Sequence, residues 1–267
     1  MEGIACVTHV DHVKLEGTAY EAARKWMTAE TNAAIEGAFA GGASQIVVSD
    51  SHGAMHNLIP EELHQDVTLV QGVPRPLIMM EGIDSTFAAA LFVGYHARAG
   101  NPVGTLAHSF SGRLIREVRL NQEAVSEAMF NAAVAGHFKV PIAMIAGDDQ
   151  LANEIEGKLP WVERVVTKWA LSRTSARSLT PKAAQEKIRT AAKSSLENIR
   201  AKRLFELSSP IHFEVEFMSV TQASIASDIP GVRREGDFSV SYSGSDMLEI
   251  SRIFRLMLNS CMNEFPV

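Results

Sequence analysis

The sequence predicts an α/β fold: a mainly parallel central sheet flanked by helices, with a smaller mixed α+β C-terminal portion. Three observations carry this. Short apolar runs alternate with longer stretches of helical spacing through the first two thirds of the 267-residue chain. The early runs, "IVV" and "ALFV", are continuously apolar, as strands buried on both faces are. The last third instead alternates apolar and polar residues in "IHFEVEFMS" and "DFSVSYS", the pattern of half-exposed strands.

Each element has its own warrant. Residues 19–40 are Ala-rich with Glu and Lys, good helix formers at helical spacing, and Gly41–Gly42 end the run. "SQIVVSD" is then a short buried strand. "AAALFVGYH" (88–96) is a second, although its Ala-rich start also suits a helix. "RLIREVR" (113–119) alternates basic and apolar residues and reads as a half-exposed strand. Residues 122–137 read as helix and 140–149 as strand, followed by helix "QLANEIEGKL" and strand "VERVVTKWA". "TP" at 180–181 opens a long helix, with proline at the first helical position. Residues 200–210 read as a linker. Strands at 211–219 and 237–243 follow, with antiparallel pairing expected, and a closing helix carries apolar residues on one face. Residues 1–200 are expected to form the α/β unit, with 201–267 packed on the same body.

Bulk properties exclude several classes. Net charge is −6 and no basic stripe is present, so nucleic acid is not an expected partner. No apolar run is long enough to span a bilayer, and no leader of basic residues followed by an apolar core is visible. Cys6 and Cys261 make neither a CxxC pair nor a disulfide framework, so the expected compartment is the reducing cytoplasm.

In open parallel sheets, ligands bind beyond the carboxyl ends of the strands. Ser49–His52, Tyr95–Arg98 and Asp148–Asp149 all follow predicted strands, so three separated segments deliver polar groups to one sheet edge. Clustering at strand ends singles out His52 and His96 among nine histidines. His108 lies shortly after, on an adjoining loop. His56 and His64 read as solvated, His137 as a helix-terminal cation, and His212 has no partner visible in the sequence. Glu127 lies in a helix with few other charges. It reads either as an exposed helical Glu or as a metal ligand, and spacing does not choose. The Asp148–Asp149 pair reads as a helix N-cap or a metal site. Phosphate-binding glycine loops, the GxSxG elbow and HExxH are absent. Imidazoles with carboxylates are the usual donors of a hydrolytic zinc site.

The ordered motifs "MEGI", "VSDSHGAMHNL", "MMEGID", "ALFVGYHARAG", "LAHSF", "SEAMFNAAVAG" and "MIAGDD" resemble those of the zinc-dependent D-aminopeptidase (DppA-like) family of metallopeptidases. The resemblance runs from residue 1 to about 180 and more weakly to the "SDMLEI" helix. It implies a peptidase that releases the first residue of short peptides, with D-residues such as D-Ala at the N-terminus. Two zinc ions are implied, with Glu2, His52, His96 and Glu127 as ligands and His108 as the catalytic histidine. A ring-like homodecamer with sites on an inner channel is also implied. The family's motif carries an Asp two residues before its Glu, a position that would precede Met1. Either the chain begins downstream of that Asp and its strand, or it uses one metal or a replacement ligand, for which Asp11 is the nearby candidate. Two further readings stand beside this one. The chain could be a zinc-dependent amidohydrolase acting on another small amide, or a degenerate non-catalytic α/β binding module.

Overall fold

The computed structural model describes residues 1–262. Helix α1 (Tyr20–Ala40) matches the Ala-rich segment and leads into β1 (Ile46–Ser49), which pairs in parallel with β2 (Val67–Val70). A second parallel arrangement is built from β3 (Ala90–Tyr95), β6 (Ile142–Asp148) and β7 (Glu163–Ser172), extended antiparallel by β8 (Ser175–Ser178). Among the described residues β1–β2 and β3–β6–β7–β8 are separate sheets. One edge of β1 and one edge of β3 border the same cavity of about 1160 Å³.

The third sheet is antiparallel. It comprises β10 (Arg233–Arg234), β11 (Ser239–Gly244), β9 (Ile211–Phe217), β4 (Ile115–Leu120) and β5 (Glu123–Ala124), in that order. It draws strands from both sides of residue 200, because β4 pairs directly with β9. The remaining helices are α2 (Glu127–His137), α3 (Asp149–Glu156), α4 (Pro181–Glu197), α5 (Val220–Ser227) and α6 (Met247–Met262).

The expected helix over 122–137 begins only at Glu127, because residues 123–124 turn back to pair with β4 before Ser126 caps the helix. β2, β8 and α5 were not expected. Four-residue strands carry too little periodicity to stand out, and α5 is a short run without a clear apolar stripe. The "TP" start of α4 is as expected, with Thr180 at the N-cap and Pro181 first.

α1 and α4 pack together and against the parallel strands, where Ala33, Ala34, Ile188, Ala191 and Ala192 meet Met144 and Ala146. Small side chains let the two helices lie close to the strands, and burying that apolar surface stabilises by roughly 25 cal/mol per Å². α2 is buried from Glu127 to Gly136 and joins β3 to α6. An aromatic knot sits there. Phe110 and Phe254 meet edge to face at 4.7 Å, and Phe130 and Phe213 close around them; such pairs add about 0.5–1.5 kcal/mol each beyond area burial.

Candidate metal centre

Five side chains from five stretches of chain converge at the carboxyl ends of β1 and β3. Glu2 comes from the irregular N-terminal segment, His52 from the loop after β1, and His96 from the residue after β3. His108 comes from the next loop and Glu127 from the first turn of α2.

Local sequence explains each placement. Gly3 donates its N–H to Gly94 O at 3.0 Å, laying the N-terminal segment on the end of β3. A Cβ at residue 3 would stand 1.7 Å from Tyr95 O, so only glycine permits this approach and puts Glu2 beside His96. Asp50, fully buried, organises the loop after β1. Its carboxylate accepts from Asn57 N, Leu58 N (2.7 Å) and Asn57 Nδ2 (2.8 Å). Asp50 thus braces the turn that carries His52 and does not itself reach the centre. Ser126 caps α2 by accepting from Met129 N, which holds Glu127 at the positive end of the helix dipole. Phe110 N donates to Glu127 Oε1 at 2.6 Å.

The exposed reading of Glu127 is therefore wrong: the residue is 7% exposed, buried because α2 runs through the interior. Asp11 is not brought in either. Its carboxylate lies 3.5 Å from His9 Nδ1 and is half exposed. Asp148 is the N-cap of α3, accepting from Leu151 N (2.7 Å) and Ala97 N (3.1 Å), so it anchors the peptide after His96. His56, His64, His137 and His212 lie outside the cluster.

The contacts form one connected set. His52 Nδ1 lies 3.2 Å and His96 Nε2 3.9 Å from Glu2 Oε2, and His108 Nε2 is 4.0 Å from Glu2 Oε1. His96 and His108 both place Nε2 3.8 Å from Glu127 Oε1, and their rings stack at 4.4 Å. Ligand atoms of His96, His108 and Glu127 all lie within 4.8 Å of one another. The geometry thus groups His108 with the ligands as closely as His96.

Each imidazole also makes one bond on its far side. His96 Nδ1 meets Ala97 O at 2.9 Å, His108 Nδ1 meets Leu106 O at 2.9 Å, and His52 Nε2 meets Val13 O at 2.8 Å. A carbonyl only accepts, so in every case the far nitrogen carries the proton. In the neutral ring the nitrogen facing the carboxylates then presents its lone pair. Outer-sphere bonds of this kind are what orient metal-binding histidines.

Electrostatics point the same way. Burial alone would raise the Glu2 carboxyl, but His52, the N-terminal ammonium and His108 outweigh it and hold it well below the usual carboxylate range. Burial and the neighbouring His108 push His96 down. For His108 burial is outweighed by Glu2 and Glu127, and the group is pushed up. Two buried carboxylates face the three imidazoles, with the N-terminal ammonium 3.2 Å from Glu2 Oε2; buried carboxylates brought together in this way are a charge that a divalent cation would compensate. Ligands about 2.0–2.2 Å from a zinc ion stand no more than about 4.3 Å apart. The separations of 3.2–4.0 Å fit this, and those near 3.8–4.0 Å are too long for hydrogen bonds. The donor set present therefore fits zinc.

Glu2, His52, His96, His108 and Glu127 line one wall of the cavity, which continues between the edges of β1 and β3 over largely apolar side chains. One buried polar group behind this wall, Lys168, gave no sign in the sequence. "VVTKWALS" alternates as a strand, and a lysine there reads as solvated.

Comparisons with known proteins agree with this arrangement. The D-aminopeptidase family model, peptidase family M55, matches residues 1–256. A curated D-aminopeptidase from Bacillus subtilis (strain 168) is 36% identical over 264 residues, covering 98% of this chain and 95% of the relative. Among solved structures, the chain is similar to the Zn-dependent D-aminopeptidase DppA from Bacillus subtilis, described as a self-compartmentalizing protease. That match has a TM-score of 0.95 and 34% identity, and covers 100% of this chain and 97% of that one.

Proposed function

The chain belongs to the D-aminopeptidase family, and from that membership we propose that it is a zinc-dependent aminopeptidase. Its reaction is hydrolysis of the N-terminal amide bond of short peptides, with D-residues such as D-Ala in first position. Glu2, His52, His96 and Glu127 hold the metal, and His108 handles the proton. The observation that carries this reading is the set of three imidazoles. Each is locked by a backbone carbonyl on its far side and turns its other nitrogen toward two buried carboxylates.

Zinc bound there supplies polarisation of the scissile carbonyl and an acidified water. The protein supplies the rest. Glu127 is fixed by Phe110 N–H and the cap of α2, so the Oε1 that faces His96 and His108 does not wander. His108 is the more open imidazole, with 21% of its side chain exposed against 3% for His96. Its Nε2 is the nitrogen able to take a proton from water and return one to the leaving amine. The cavity beside the centre is lined largely by apolar side chains, which suits the apolar side chains of a short peptide.

Four protein donors on one tetrahedral zinc would leave no position for water, so the catalytic reading goes with the two ions that the family resemblance implies. Assembly is proposed by similarity to the self-compartmentalizing relative: a closed homo-oligomer, ring-like and decameric. Exposed apolar residues such as Leu171, Met218 and Val220 are available for subunit contacts. No described helix is long and apolar enough to cross a membrane. Cys6 and Cys261 make no disulfide among the described residues, which supports a reducing compartment, the cytoplasm.

The decisive experiment pairs metal analysis with turnover of D-Ala-D-Ala, L-Ala-L-Ala and simple amides. Bound zinc with preference for the D-peptide is the expected result, and His96→Ala should lose most of both zinc and activity. Zinc with turnover of simple amides alone would make the chain an amidohydrolase. Neither zinc nor turnover would leave a binding module.

A further inference from the structure

Behind the metal centre lies a lysine with no access to solvent. Lys168, on β7, is fully buried, and its ammonium donates to two backbone carbonyls, Glu2 O and Val7 O. Beside it, Thr167 Oγ1 lies 2.6 Å from Gly3 O and 3.0 Å from Gly147 O, and its one proton goes to the nearer, Gly3 O. From the other side Glu30 of α1, also fully buried, accepts Ala5 N at 2.9 Å, and Ser178 Oγ accepts Cys6 N at 2.7 Å. Residues 2–7 thus curl around the lysine head without regular secondary structure of their own.

A buried ammonium is expensive unless its donors are all met and opposite charge stands near. Asp148 and Glu2 supply that charge. A methionine or leucine of the same size would fill this space more cheaply and leave the two carbonyls unanswered. What the lysine provides is a fixed point inside the loop that carries Glu2.

We propose that Lys168 is a positioning residue for the metal centre: by holding Glu2 O and Val7 O it sets the direction in which the Glu2 carboxylate faces His52, His96 and His108. The assignment rests on the zinc-site reading above. The hydrogen bonds of Lys168 go to backbone carbonyls, and it acts through Glu2.

The test compares Lys168→Met with wild type by zinc competition against a chromophoric chelator, by the visible spectrum of the cobalt-substituted protein, and by thermal melting. Lys168→Met should bind zinc about 10–100-fold more weakly, the range for losing an outer-sphere partner, and should shift the cobalt bands. In a Glu2→Gln background the same change should cost nothing further, because the two effects share one path. Wild-type zinc affinity and an unshifted cobalt spectrum in Lys168→Met would overturn the proposal, as would full additivity with Glu2→Gln. Should Lys168→Met fail to fold, Thr167→Val carries the test, since it removes only the hydroxyl bonded to Gly3 O and should weaken zinc in the same direction. If wild type binds no zinc, the zinc-site reading falls first, and the positioning role falls with it.

Discussion

At the scale of single residues, His108 and His96 differ more in setting than in contacts. Both stand 3.8 Å from Glu127 Oε1, but His96 is sealed and His108 opens on the cavity. His108→Ala should therefore keep most of the zinc and lose turnover by about 10²–10⁴-fold, the usual worth of general acid–base catalysis. Metal content by atomic emission and turnover of D-Ala-D-Ala check it. Loss of zinc along with turnover would make His108 a ligand first. The sequence marked His52 and His96 through their position after apolar runs, because a strand end fixes where its next side chain goes. Glu127 stayed ambiguous, since its neighbours say helix but not which side of the helix meets the interior. Lys168 was invisible, because its partners are backbone carbonyls more than 160 positions away.

At the scale of elements, α1 does more than cover the sheet. Glu30, near its middle, straps the N-terminal segment through Ala5 N, and burial pushes its carboxyl up to about 8. The folded state thus holds the Glu30 proton more tightly than the unfolded chain does. The resulting stability is full below the ordinary carboxylate range, near 4.5, and is lost as pH rises through about 8. Glu30→Gln cannot ionise. Its melting temperature relative to wild type should rise steadily between about pH 5 and 8, as thermal scans at matched ionic strength would record. A constant difference across that range would show that Glu30 does not titrate there. The long helices and longer strands were legible because Ala-rich, Pro-initiated or β-branched stretches state their own preference. The start of α2 was not, because two residues at 123–124 join a strand pair whose partner is local in sequence but whose sheet is assembled from residues beyond 210.

At the scale of the whole molecule, the fold class was legible and the way its sheets join was not. Pairing of β4 with β9 crosses more than a third of the chain, and no local pattern encodes it. Assembly has its own check. With a subunit of 29.1 kDa, a closed decamer should elute and scatter light at about ten times that mass; a monomeric mass at micromolar concentration would exclude the ring. The separation of β1–β2 from β3–β6–β7–β8 has a different consequence. His52 is carried on the β1 side, while His96, His108 and Glu127 belong to the β3 side, so any ion they share spans a seam that no backbone hydrogen bond crosses among the described residues. Metal there would act as a clasp between two halves of the protein, and a chelator would loosen the architecture as well as silence the chemistry, in proportion to the logarithm of ion concentration over its dissociation constant.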